Sequence, residues 1–139
     1  MTNFDLTGRK ALVTGAARGI GAGIAQALVQ AGASVMIGDV LADLGRETAQ
    51  ALAAEGAKVG FVPLDVTRDA DWASAVATTV AELGGFDILV NNAGIEITAL
   101  VTEIDADDLR RMLDVNVVGT ALGLKHALRS MRPGSRSKP

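Results

Sequence analysis

Ala11–Gly21 reads A-L-V-T-G-A-A-R-G-I-G, and this stretch decides the fold. Leu12 and Val13 close a short apolar run of the kind a buried strand makes. Glycines follow at Gly15, Gly19 and Gly21. After them Ile20, Ile24, Ala27, Leu28 and Ala31 recur at helical spacing. The pattern is strand, glycine-rich turn, helix. A helix N-terminus carries free N–H groups and attracts anions, so the context favours a phosphate. Gly15 allows the tight turn, Gly19 lets the backbone approach a pyrophosphate, and Gly21 lets the helix pack closely on the strand. The spacing is G-x-x-x-G-x-G, not the commoner G-x-G-x-x-G, and the lysine and Ser/Thr of a P-loop are absent. A tight β-to-α turn without a ligand is the plainer alternative.

The 139 residues suffice for one domain with a real core. Apolar residues make up 49% of the chain but aromatic ones only 3%, so small aliphatic side chains and glycine must do the packing. There is no cysteine, which excludes a disulfide framework and a thiolate metal site. His126 is the only histidine, which excludes a multi-histidine metal centre. The net charge of −3 argues against a general nucleic-acid binder. No apolar run approaches the ~20 residues of a membrane span, and Met1–Lys10 lacks a signal-peptide core. A cytoplasmic protein is the expectation. The chain also contains no tyrosine.

Taken in order, the chain alternates. Strands are predicted over 10–14, 34–37, 59–62 and 86–90, with Gly38-Asp39 closing the second. Helices are predicted over 18–31, 41–55 and from Thr67 or Asp69 to about Leu83. Gly32, Gly56 and Gly84-Gly85 suit helix ends. In the second helix Leu41, Leu44, Thr48, Ala51 and Leu52 fall near one face. After an irregular stretch over 95–100, a long helix runs from Thr102 or Asp105 to about Met131. Its apolar residues form two rows, one of Leu109, Met112, Val115 and Leu122, the other of Leu113, Val117, Ala121, Leu124 and Leu128. A helix apolar on two faces usually has two partners, here the sheet and either a second subunit or further parts of the fold. The alternation predicts an α/β protein with a doubly wound parallel sheet. Residues 1–132 read as one unit, and residues 133–139 as a basic, irregular tail where the alternation would call for another strand.

In a parallel sheet, ligands lie beyond the carboxyl ends of the strands. Asp39 stands there, about 20 residues beyond the glycine turn, where a carboxylate accepts hydrogen bonds from ribose hydroxyls and repels a 2′-phosphate. Asp65-Val66 follows the third strand. By spacing alone, helix capping and contact with an adenine are equally good readings. Asn91-Asn92-Ala93-Gly94 follows the fourth strand, with small residues that admit a nicotinamide ribose and amides that can tie strand ends together. Asn116 sits inside the long helix, where asparagine is a mediocre helix former and needs partners if buried. His126 suits a helix C-terminus, Trp72 reads as packing, and Glu103, Asp105, Asp107 and Asp108 read as a solvated helix start.

T-G-A-A-R-G-I-G, Asp39, D-V at Asp65-Val66 and N-N-A-G stand in the order found in the short-chain dehydrogenase/reductase family. From about Lys10 to Met131 the chain resembles the cofactor-binding portion of that family. The resemblance implies a Rossmann-type fold and a dinucleotide site at Gly15, Ala17, Arg18, Gly19, Ile20, Gly21, Asp39, Asp65, Val66, Asn91, Asn92, Ala93 and Gly94. It implies adenine contact at Asp65 and Val66, and a place for Asn116 in the active-site tetrad, holding a water of the proton relay. Arg18 can help hold the 2′-phosphate of NADP in such proteins. A fixed carboxylate at the ribose outweighs one flexible arginine, so NAD is expected over NADP.

The family transfers hydride between a nicotinamide and an alcohol or carbonyl, using a serine, a tyrosine and a lysine that follow the resembling segment. Ser135, Ser137 and Lys138 do not correspond to them. Of the family's strand order 3-2-1-4-5-6-7 the chain supplies 3-2-1-4. The fourth strand, with Ile88, Leu89 and Val90, becomes an edge prone to self-pairing. Three readings follow: an oxidoreductase homologue truncated in this form and inactive alone, a half-enzyme completed by another polypeptide, and a non-enzymatic NAD-binding module. The tail resembles sequence read after an interrupted frame. A small alcohol or carbonyl substrate is expected only for a completed site, with self-association through the long helix or the fourth strand.

Overall fold

The computed structural model describes residues 4–54 and 56–131, so the tail over 133–139 lies outside the described residues. Strands β1 (Lys10–Thr14), β2 (Ser34–Asp39), β3 (Val59–Pro63) and β4 (Ile88–Val90) alternate with helices α1 (Gly19–Gln30), α2 (Ala42–Ala53) and α3 (Asp69–Leu83). The sheet is parallel, in the order β3-β2-β1-β4. Val13 pairs with Ile37 on one side and Val90 on the other, which aligns the carboxyl ends of β2, β1 and β4.

Strand periodicity sorts the core into two layers. Ala11, Val13, Val35 and Ile37 point to one face and pack with Ala25, Val29, Ala49 and Leu52 of α1 and α2. Leu12 and Met36 point to the other and pack with Trp72, Ala75 and Val76 of α3. β1 and β2 are buried on both faces, hence their near-continuous apolar runs.

The predicted helix faces hold in part: Ile24, Leu28 and Leu52 pack on the core, but the most buried positions are mainly small residues. α1 buries Gly21, Ala25 and Val29, while Ile20 is 79% exposed. α2 buries Gly45, Ala49 and Leu52, while Leu41 and Leu44 face outward. In α2 the cause is size. A Cβ at Gly45 would collide with the Phe61 ring, so this side of the helix lies down on β3. α3 begins after Arg68 with no side-chain cap, so neither Thr67 nor Asp69 caps it. Trp72 is fully buried and its indole N–H donates to Val66 O at 2.9 Å, as packing requires.

The long helix has three parts. A 3₁₀ turn over Val101–Glu103 precedes α4 (Ala106–Leu113), then comes a π-turn over Asp114–Val118 and α5 (Gly119–Ser130). Asp105 caps α4 by accepting from the N–H groups of Asp107 and Asp108 at 2.9 and 3.1 Å. Gly119 and Gly123 let α5 press onto Val66 and Trp72. Of the two predicted apolar rows, Met112, Val115 and Leu122 turn inward, though Leu109 stays 40% exposed. Leu113, Val117, Leu124 and Leu128 are exposed.

Asp69, at the start of α3, accepts from Lys125 Nζ at 2.8 Å and lies 2.8 Å from His126 Nε2, tying α3 to α5. The hydrogen bond from Lys125, and then the one with His126, hold the Asp69 carboxyl below the usual carboxylate range. Among the described residues no helix is long and apolar enough to cross a membrane.

Candidate functional site

The site grows from the turn after β1. Gly15 has φ +64° and Gly19 φ +60°, a left-handed backbone that favours glycine. Gly15 is also sterically confined: a Cβ there would lie 2.9 Å from Ala93 Cα. Gly21 packs against Gly15 O and the Asn92 amide, with no room for a side chain. The turn therefore brings the N-terminus of α1 to the carboxyl end of β1.

Asp39 ends β2 directly beside it. Its side chain belongs to a residue only 9% exposed, and both oxygens are engaged. Oδ2 accepts from Ala17 N at 3.0 Å and Oδ1 from Leu41 N at 3.0 Å. Ala17 O in turn accepts from Thr48 Oγ1 at 2.6 Å. The Ala17 peptide is thus held on both sides, and the carboxylate cannot swing away. Each carboxylate oxygen retains a lone pair for a further donor.

The fourth strand end is laced to the first by Thr14 and Asn92. Thr14 Oγ1 accepts from Asn92 N at 3.1 Å and Ala93 N at 3.0 Å. Asn92 Nδ2 donates to Thr14 O at 3.0 Å and Gly15 O at 3.2 Å. Asn91 Nδ2 reaches Thr120 O at 3.4 Å, toward α5. Asp65 makes a local turn: Oδ1 accepts from Thr67 N at 3.0 Å and Thr67 Oγ1 at 2.6 Å, so it caps the turn before α3 and still faces the cavity.

Asn116 lies in the π-turn, where a widened backbone is common at functional sites. Its Oδ1 accepts from Ile95 N and its Nδ2 donates to Ile95 O, both at 2.8 Å. The side chain pins the segment after β4 as a strand neighbour would. Met112, one turn earlier, accepts from Ile97 N at its sulfur, 3.2 Å away.

These elements enclose a cavity of about 660 Å³. Gly15, Arg18, Asp39, Asp65, Val66, Asn92, Ala93 and Gly94 line it. Ala17, Gly19, Ile20, Gly21, Asn91 and Asn116 do not. Ala17 and Gly21 are buried beneath the turn, and Ile20 projects from it. The sequence reading missed Thr14, Thr48 and the charged residues of α4 that reach the cavity. T-G in the turn motif was a signal for Thr14. Nothing local marked Thr48, whose partner is 31 residues away. Among the described residues no cluster of His, Asp and Glu side chains is placed to hold a metal.

A family model of short chain dehydrogenases matches residues 9–138. The chain belongs to the short-chain dehydrogenase/reductase family, whose members use nicotinamide dinucleotides. It is 41% identical over 131 residues to 3-alpha-(or 20-beta)-hydroxysteroid dehydrogenase of Mycobacterium tuberculosis, covering 94% of this chain and 49% of that protein. It is 43% identical over 133 residues to trans-4-hydroxycyclohexanecarboxylate dehydrogenase of Sinomonas cyclohexanicum, covering 91% and 51%. A crystal structure of a short-chain type dehydrogenase/reductase from Mycobacterium marinum superposes with a TM-score of 0.88 at 36% identity, over 92% of this chain and 52% of that one. The chain spans about half the length of the curated relatives it matches.

Proposed function

We propose that this chain is the NAD-binding portion of an oxidoreductase that moves hydride between the nicotinamide and an alcohol or carbonyl. One observation carries the reading. The Asp39 carboxylate is buried and bonded to Ala17 N, inside the same turn that would receive the pyrophosphate. A ribose donating to Asp39 would be set in register with a pyrophosphate on the N-terminus of α1. In this pose Gly15–Gly21 holds the pyrophosphate, with Ala17, Arg18, Gly19 and Ile20 along it. Asp65 and Val66 meet the adenine, and Asn91–Gly94 the nicotinamide ribose. A 2′-phosphate would meet a fixed negative charge at Asp39, whereas Arg18 is exposed and free to turn away, which favours NAD over NADP. We take residues 1–132 as this one binding unit.

NAD supplies the hydride acceptor or donor. The chain's own part is to bind and orient it and to place Asn116 beside the proton path. These 139 residues contain no tyrosine, so they do not themselves supply the family's tyrosine acid/base. β4 supports that reading: among the described residues it pairs with β1 alone, and its other edge is open. The outward row on α4 and α5 offers a second surface for association, with Leu124 51% and Leu128 66% exposed. Completion by a partner chain, or association of two copies, covers this surface. A purely NAD-binding role without turnover is the alternative.

Calorimetry with NAD and NADP tests the reading. NAD is expected to bind more tightly, and a ligand at a hundredfold excess over its Kd adds about 2.7 kcal/mol of stability. Absence of binding by either nucleotide to the folded chain would overturn it.

A further inference from the structure

α4 carries charged residues along one side of the cavity. Asp107, Arg110, Arg111 and Asp114 line the cavity, whereas Leu109 and Leu113 are 40% and 49% exposed. All four are exposed, so they stand at the open rim of the cavity. Arg110 is already paired, with Nη1 3.0 Å from Asp107 Oδ1. Arg111 has no ion pair among the described residues.

The path of the helix locates Arg111. Gly119 touches Val66 so closely that a Cβ would lie 2.7 Å from Val66 Cγ2. One turn back, Val115 packs on the cluster that contains Val66 and also lines the cavity. One further turn back stands Arg111, about 6 Å along the axis from Val115. The α4 wall of the cavity thus carries apolar Val115 with Arg111 one turn beyond it and Asp114 alongside. A planar guanidinium beside an apolar side chain suits the face of an aromatic base.

We propose that Arg111 is a cofactor-binding residue that closes the adenine end of the cavity by stacking its guanidinium on the purine. This rests on the NAD-binding reading above. The stacking acts on the adenosine half alone, so NAD and AMP should depend on it equally.

The test is calorimetric titration of the full chain and of the Arg111→Ala, Arg111→Lys and Arg110→Ala variants with NAD and with AMP, each variant checked for helicity by circular dichroism. Arg111→Ala should weaken both ligands by about fivefold. Arg111→Lys should not restore them, because lysine keeps the charge and loses the plane. Arg110→Ala should stay within about twofold, since Arg110 carries the same charge but is paired. Equal affinity of wild type and Arg111→Ala, full rescue by lysine, or an equal loss in Arg110→Ala would overturn the proposal while leaving the NAD reading standing. Failure of wild type to bind NAD would overturn both.

Discussion

The two ends of the chain bury opposite kinds of residue. At the turn after β1, a carboxylate lies inside: Asp39 is 9% exposed. Along α4 and α5, leucines lie outside: Leu124 and Leu128 are 51% and 66% exposed. A buried carboxylate persists only where donors meet it, and Ala17 N and Leu41 N do so at 3.0 Å. An exposed apolar row persists where something else is meant to cover it. The first region is thus finished by its own hydrogen bonds. The second is left apolar and exposed among the described residues.

The contrast breaks most visibly in the core. Leu12 is fully buried beneath α3, and Leu12→Ala should cost about 2–5 kcal/mol in chemical denaturation. The same truncation on the open row, Leu124→Ala, should cost the isolated chain no more than about 0.5 kcal/mol. If the two losses proved equal, the row would be core.

Next in size is Gly21→Ala. In an exposed helix this change is stabilising, but here the new Cβ collides with Gly15 O and the Asn92 amide, and lies 2.9 Å from Ala16 Cα. A loss of about 1–3 kcal/mol is expected, with the same sign in thermal and denaturant unfolding. Asp39→Ala should follow, at about 1–3 kcal/mol, because Ala17 N and Leu41 N lose their acceptor. It should also erase the difference between NAD and NADP in calorimetry.

Leu124→Ser with Leu128→Ser sharpens the comparison from the other side. Sedimentation should show weaker self-association or partner binding, with monomer stability changed by no more than about 0.5 kcal/mol. The smallest effect belongs to Asp69, whose carboxylate is exposed. Its carboxyl titrates lower when folded than unfolded, so its stabilising contribution is complete above the ordinary aspartate range. That contribution fades as pH falls through the lowered value. Asp69→Asn should flatten that part of the acid-unfolding curve and leave neutral-pH nucleotide binding unchanged.

Much of this was readable from local chemistry. The glycine turn, Asp39 beyond it and N-N-A-G after the fourth strand mark the carboxyl ends of parallel strands, where a ligand must sit. Spacing alone places them, because each is punctuation in the chain. The helix faces were harder. Gly45, Ala49 and Gly21 bury better than the leucines and isoleucines beside them, because a small side chain lets the helix reach the sheet. Periodicity weighs hydrophobicity and cannot weigh that clearance. Asn116 was legible as an oddity in a helix, but its partner Ile95, held by two bonds at 2.8 Å, was not.

While the order 3-2-1-4 came with the family resemblance, the sequence by itself determined the order of elements, a parallel sheet, and the residues that end each strand. These follow from periodicity and from backbone rules for glycine, which act within a few residues. The tertiary structure alone decided that Ala17 N–H meets Asp39, that Thr48 closes on Ala17 O, that Arg111 faces the cavity, and that Leu113, Val117, Leu124 and Leu128 do not reach the core. Each joins segments distant in the chain or depends on the face a helix turns to its neighbours, and both are settled only when whole elements pack.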